Sequence, residues 1–257
     1  MDEYRVRCIF DKIDRNKTIR VKVPGSKSIT NRTLLIAALA EGETILKGAL
    51  FSNDAKNMLA CLNTLGIKME IDEENETITV QGCGGRLPVR EASVNVGSAG
   101  TAARFLTALL AFSAGVYHLD ASEQMKKRPM KPLLDALIKL GALISYDEAE
   151  GHFPFTIDSR AVRGGEISLD TGISSQFLSA VVMTGFLLSD GLKVNIAGGR
   201  ESLPYVDMTA RVMESFGMKP DVVCDNGVVS YILSGGRAYK GRKYEIEPDV
   251  SAACYFY

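Results

Sequence analysis

Leu62-Asn63-Thr64-Leu65-Gly66 is an apolar helical run closed by a glycine, and the figure returns as Leu137-Ile138-Lys139-Leu140-Gly141 and Met213-Glu214-Ser215-Phe216-Gly217. The three glycines stand 75 and 76 residues apart. Each suits the C′ position of a helix, where φ is positive and a side chain would be strained. So regular a period marks a repeated structural unit.

Working outward from these glycines, hydrophobic periodicity reads each unit as strand, helix, strand, helix, strand, strand. The first runs Thr18 to Val23, Ser28 to Ala40, Thr44 to Leu50, Asn53 to Leu65, Ile67 to Ile71 and Thr77 to Val80. The second runs Val94 to Val96, Thr101 to Phe112, Val116 to Leu119, Met130 to Leu140, Leu143 to Tyr146 and Phe155 to Ile157. The third runs Glu166 to Leu169, Ser175 to Leu188, Lys193 to Ile196, Tyr205 to Phe216, Asp221 to Val223 and Ser230 to Leu233. The expected class is therefore α/β, with three βαβαββ units in one domain over residues 25–240.

One period beyond Ser174, a fourth unit is expected to open within 241–257, with a strand Tyr244 to Glu247, then Asp249, Ser251 and an apolar run to Tyr257. Tyr255, Phe256 and Tyr257 would lack partners there. The expectation is a portion of a longer, truncated chain.

The 257 residues carry 30 Lys plus Arg against 31 Asp plus Glu, so no global field recruits nucleic acid or an anionic membrane. Any anion must be bound locally. Apolar residues at 46% and charged residues at 24% describe a globular protein rather than a disordered one. The longest apolar stretch, Phe105 to Val116, falls short of the roughly 20 residues of a spanning helix. Met1 to Lys12 has no apolar core of a secretory leader, so a cytoplasmic address is expected. Cys8, Cys61, Cys83, Cys224 and Cys254 form no C-x-x-C pair and read as buried free thiols. With only His118 and His152 present, no metal site is expected.

The chemistry lies at the helix starts. Pro24-Gly25-Ser26-Lys27-Ser28, Gly97-Ser98-Ala99-Gly100-Thr101 and Gly172-Ile173-Ser174-Ser175-Gln176 each open the first helix of a unit. Their free N–H groups and positive dipole ends, gathered by threefold repetition, would bind phosphate or carboxylate. Ordinary capping by Ser28, Thr101 and Ser175 explains any one of them alone. Lys27 before a helix start, and Arg128 at a cap with Pro129 as first helical residue, put cations at the wrong dipole end and call for an anion. Lys126 and Lys127 read as a solvated basic turn. Arg32, four residues after Ser28, would present a guanidinium fork beside a hydroxyl, suited to a carboxylate. Neither the G-x-x-x-x-G-K nor the G-x-G-x-x-G spacing is present, so ATP and NAD find no support, and no G-x-S-x-G elbow supports a serine hydrolase.

With Val23-Pro24-Gly25-Ser26-Lys27-Ser28-Ile29-Thr30-Asn31-Arg32, Ser98-Ala99-Gly100-Thr101-Ala102-Ala103-Arg104, Met125-Lys126-Lys127-Arg128-Pro129-Met130, Ser174-Ser175-Gln176 and Ser202-Leu203-Pro204-Tyr205-Val206-Asp207 in hand, the chain resembles the 5-enolpyruvylshikimate-3-phosphate synthase family of enolpyruvyl transferases over almost its whole length. It departs from the usual pattern at Ser98, Leu203, Pro248 and Val250. The sister transferase acting on UDP-N-acetylglucosamine, which typically has Lys-Asn where this chain has Lys27-Ser28, is the alternative; so is a non-catalytic folding unit without ligand affinity.

The resemblance implies an inside-out α/β barrel, with residues 1–24 belonging to a second domain, and enolpyruvyl transfer from phosphoenolpyruvate to the 5-hydroxyl of shikimate 3-phosphate in aromatic amino acid biosynthesis. It implies a monomeric transferase without metal or organic cofactor. By motif position Ser28, Ser174, Ser175 and Ser202 would hold the shikimate phosphate or ring region, Arg32 its carboxylate with Tyr205 near by, and Gln176 the ring and phosphoenolpyruvate. Lys27, Gly100 and Arg128 would contact phosphoenolpyruvate. Thr101, Arg104 and Asp249 are structural candidates, the last two as partners. The family's remaining acid, base and cation groups lie on the opposite domain, so this chain alone is expected to be inactive.

Overall fold

The computed structural model describes residues 20–170, 174–197 and 203–254. Three helices, α1 (Lys27–Leu39), α3 (Gly100–Ala111) and α6 (Ser175–Thr184), form the centre. Each is buried around nearly its whole circumference: Ile29 to Leu39 in α1, every residue but Thr101 in α3, and Phe177 to Thr184 in α6. A helix buried on all sides must be enclosed by other elements, and in α1 the buried set includes the polar Thr30, Asn31, Arg32 and Thr33. The enclosure comes from α2 (Asn53–Thr64), α5 (Lys131–Lys139), α7 (Leu203–Ser215) and three four-stranded sheets. Central strands alternate fully buried residues with half-buried or exposed ones, as in Glu43–Lys47 and Val116–Asp120, so one face of the sheet covers the helices.

The sheets share one plan. In the second, β4 (Glu91–Asn95) runs parallel to β5 (Val116–Asp120), which is antiparallel to β7 (Phe155–Asp158), itself antiparallel to β6 (Leu143–Tyr146). The third repeats this with β8 (Gly165–Asp170), β9 (Leu192–Ala197), β11 (Val228–Leu233) and β10 (Asp221–Asp225). A parallel pair needs a crossover, and α3 and α6 supply it. The first sheet has β1 (Glu43–Lys47), β3 (Thr77–Gln81) and β2 (Lys68–Asp72), but its parallel outer strand is β12 (Lys243–Glu245).

That strand corrects two expectations. Residues 20–23 form no strand; their place is filled from the segment expected to open a fourth unit. The segment is held there by Ile45 N–H to Arg242 O at 3.0 Å and Ile246 N–H to Lys47 O at 2.8 Å. Buried Tyr239 packs edge-on to Phe186 and donates to Met183 O at 2.9 Å within the third unit, and its carbonyl accepts from Glu41 N–H at 2.8 Å, tying that unit to the first. Of the apolar tail, 255–257 lie outside the described residues; Val250–Ala253 forms a short helix, α8.

The repeated glycines are at positive φ, 87° at Gly66, 98° at Gly141 and 83° at Gly217. Around each, the N–H of the next residue returns to the carbonyl five positions back: Ile67 to Leu62, Ala142 to Leu137 and Met218 to Met213, at 3.0–3.1 Å. This is the Schellman closure in three copies.

Smaller corrections concern helix ends. The caps are Ser26 and Ser174, one or two residues before the serines expected, and Ala99 in α3, which supplies no side-chain bond. The helix expected from Ser175 to Leu188 tightens into a 3-10 turn at Gly185–Leu187. A short helix, α4 (Glu123–Lys126), was not legible. Pro129 does not open α5: Met130 N–H is taken by Gly151 O, so the helix begins at Lys131 with Pro132 in its first turn. Arg128 thus stands in an exposed turn before the cap. Of the described cysteines, Cys61 is buried and Cys83 half-buried, but Cys224 and Cys254 are exposed, against expectation. Among the described residues no helix is long and apolar enough to cross a membrane.

Candidate functional site

The first turns of α1, α3 and α6 lie side by side, joined by the same kind of contact. Arg32 of α1 stacks over the Phe105 ring of α3 at 5.4 Å, and Arg104 of α3 over the Phe177 ring of α6 at 5.7 Å. Gln176 donates to Thr101 Oγ1 at 3.4 Å, and Arg32 to Ser179 Oγ of α6 at 3.3 Å. The expected gathering of helix starts is therefore present for these three tips.

At the start of α3 two cations converge. A Cβ on Gly100 would stand 2.4 Å from Arg128 Nη1 and 3.0 Å from Arg104 Nη1. Glycine is what lets both guanidinium groups approach the helix end. Arg104 is 3% exposed, and burial, then the neighbouring Arg128 charge, lower its pKa to about 10. Arg104 donates to Gly100 O at 3.1 Å and touches Met125 Sδ at 3.5 Å, not Asp249. Its Nε and Gln176 Oε1 are buried without partners. Neither Arg104 nor Arg128 has an acidic partner among the described residues.

Lys27 occupies the first turn of α1 rather than preceding it, and the acid its position demands is partly supplied by the protein: Nζ is 3.5 Å from Asp54 Oδ2, at the start of α2. Its backbone N–H lies 3.5 Å from Asp249 Oδ2, while Asp249 Oδ1 caps α8 through Ser251 N–H at 2.9 Å. Lys126, expected to be solvated, is 19% exposed; it meets Glu148 at 3.1 Å and Glu123 at 3.3 Å, which raise its pKa, and Asp120 at 3.8 Å. These pairs fasten the turn that presents Arg128; Lys127 is exposed as expected.

Arg32 departs most from expectation. It is 3% exposed, and burial lowers its pKa to about 10. Its guanidinium donates to Thr209 Oγ1 at 2.7 Å, Ser28 O at 3.0 Å, Ser179 Oγ at 3.3 Å and Tyr205 O at 3.4 Å, all neutral acceptors. Ser28 and the exposed Tyr205 line an open hollow of about 320 Å³ with Ser26, Met208 and Asp249. Ser174 caps α6, accepting from Gln176 N–H at 3.2 Å, and Ser175 follows it. Ser202 lies outside the described residues. Sequence reasoning missed Asp54, Ser179 and Thr209. The last two stand four residues after Ser175 and Tyr205, one helical turn below residues already singled out, and that spacing was the available signal.

The sequence profile of EPSP synthase (3-phosphoshikimate 1-carboxyvinyltransferase) matches residues 13–257. The chain is 40% identical over 245 residues to the 3-phosphoshikimate 1-carboxyvinyltransferase of Trichormus variabilis, covering 95% of itself and 57% of that protein. It is 41% identical over 238 residues to the enzyme of that name from Opitutus terrae, covering 92% and 54%. The solved EPSP synthase from Acinetobacter baumannii superimposes with a TM-score of 0.77 at 26% identity, covering 92% of this chain and 51% of that one. The chain thus spans about half the length of these relatives.

Proposed function

The chain belongs to the EPSP synthase family, and on that premise we propose that it anchors the substrates of enolpyruvyl transfer from phosphoenolpyruvate to the 5-hydroxyl of shikimate 3-phosphate. Residues 25–240 form the binding domain in this reading. The observation that carries it is the meeting of Arg104 and Arg128 over the Gly100 start of α3, two like charges with no acid between them among the described residues. Such a pair is stabilised by an anion.

In the transfer, the 5-hydroxyl oxygen bonds to C2 of phosphoenolpyruvate, its proton leaves to a base, and C3 gains a proton. The tetrahedral intermediate then loses inorganic phosphate and the C3 proton, restoring the double bond. Arg128, Lys27 and the Gly100 N–H hold the phosphoenolpyruvate phosphate and stabilise charge as it departs. Ser28, Ser174, Ser175 and Ser202 hold the shikimate phosphate or ring region, with Arg32 on the carboxylate and Tyr205 near by, and Gln176 faces the ring and phosphoenolpyruvate. None of these is assigned the proton transfers, so the chain is expected to bind without turnover. The full-length protein in this reading is a cytoplasmic monomer, with no metal or organic cofactor.

Calorimetry tests the reading. Shikimate 3-phosphate should bind more tightly than inorganic phosphate or UDP-N-acetylglucosamine, and Arg128→Met should weaken phosphoenolpyruvate binding about tenfold with an unchanged melting temperature. Equal affinities for shikimate 3-phosphate and inorganic phosphate, or equal binding by variant and wild type, refute it. Phosphate release by the 257-residue chain would refute its role as an anchor only.

A further inference from the structure

We propose that Ser179 and Thr209 are positioning residues that aim the Arg32 guanidinium at the carboxylate of the acceptor substrate, an inference that rests on the role just given to Arg32. Both hydroxyls are fully buried, on α6 and α7 of the third unit, whereas Arg32 belongs to the first. Around them the hydrogens have one consistent arrangement. A threonine hydroxyl has a single proton and two lone pairs. Thr209 Oγ1 accepts from Arg32 Nε–H at 2.7 Å, lies 3.0 Å from Ser179 Oγ and 2.8 Å from Tyr205 O. Its proton goes to the Tyr205 carbonyl, which can only accept. Ser179 therefore donates to Thr209 and accepts from Arg32 Nη2 at 3.3 Å. With Tyr205 O on Nη2 at 3.4 Å and Ser28 O on Nη1 at 3.0 Å, four of the five guanidinium N–H groups are engaged.

The fifth, on Nη1, is the one left for a ligand among the described residues, and it sits on the nitrogen beside Ser28, which lines the hollow. A buried guanidinium held by neutral acceptors keeps its charge uncompensated, so the fork is set in place while its attraction for a carboxylate is kept. A glutamate at position 179 or 209 would satisfy the same donors but cancel that charge. The two hydroxyls also make the arrangement conditional on packing of the first unit against the third, because neither belongs to the helix that carries Arg32.

The test compares the 257-residue chain with Thr209→Val, which keeps the shape and removes the acceptor, and with Thr209→Ser, which restores it. Each is titrated calorimetrically with shikimate 3-phosphate and with its carboxyl methyl ester. The wild type should prefer the free acid by about tenfold, the worth of a hydrogen bond to a charged group. Thr209→Val should bring that preference close to one, and Thr209→Ser should restore it. A valine variant that weakens both ligands equally has only lost stability, and that result overturns the positioning role. A wild type that binds both forms equally removes the Arg32 assignment, and one that binds neither removes the site; each also overturns the proposal, at a distinguishable step.

Discussion

Replacing Gly100 with alanine separates binding from stability, because a large loss of affinity is set against a small change in stability. The added methyl would stand 2.4 Å from Arg128 Nη1 and 3.0 Å from Arg104 Nη1, so both guanidinium groups must withdraw. Arg128 is exposed and ends in a flexible chain, so its retreat is cheap for the fold. Gly100 is in the first turn of α3 and its φ is not positive, so alanine gains up to about 1 kcal/mol of helix propensity over glycine. Set against that gain is the small shift forced on the buried Arg104, so the expected net change in unfolding free energy stays within about 1 kcal/mol of zero, no more than about 4 °C in Tm for a domain of this size. The ligand loses at least one charge-assisted hydrogen bond, about 1.5–3 kcal/mol, which corresponds to a roughly 10- to 150-fold weaker Kd for phosphoenolpyruvate. Calorimetric titration beside a thermal melt reads both quantities. A variant that melts well below wild type yet binds phosphoenolpyruvate unchanged would refute the claim that Gly100 exists to admit the two arginines.

Two further outcomes follow from the packing. Ile246 is 4% exposed beside the closing strand β12, so Ile246→Ala should cost about 2–5 kcal/mol, read as a lower urea midpoint, whereas Val250→Ala, at a position 76% exposed, should leave it unchanged; equal midpoints would deny the clasp its role. Burial raises the Cys61 thiol from 9.0 to about 11, so its unfolded form ionises first and stability should fall as pH rises from about 9 towards 11, a loss that Cys61→Ala removes; with a disulfide reagent at pH 8, Cys224 and Cys254 should react at once and Cys61 only on unfolding. Rapid modification of Cys61 in the native protein would contradict its placement.

The repeat was legible because its signals are local. A glycine with positive φ after an apolar helical run is enforced by backbone sterics within a few residues, and all three copies obey it. Apart from the strand expected up to Val23 and the unforeseen α4, strand and helix identities followed from periodicity for the same reason, with errors at the ends, where one hydrogen bond decides: Gly151 O captures Met130 N–H, and Pro129 is left outside α5. Lys27 was visible as a cation at the wrong dipole end of its own helix, whereas Arg128 was singled out on a helix start at Pro129 that the structure moves to Lys131, and the helix end it meets is that of α3.

What required the tertiary structure is whatever depends on residues far apart in the chain. Sequence placed Arg32 beside a hydroxyl on its own helix; packing buried it under Thr209 and Ser179, 177 and 147 residues away. Lys27 found Asp54, and the first sheet took its outer strand from residues 243–245 rather than from the segment before α1. Local sterics and periodicity act within a turn or two of the chain and so are written in the order of residues. The partner of a buried charge, and the strand that closes a sheet, are chosen by the free energy of satisfying donors and covering an edge once the units have met.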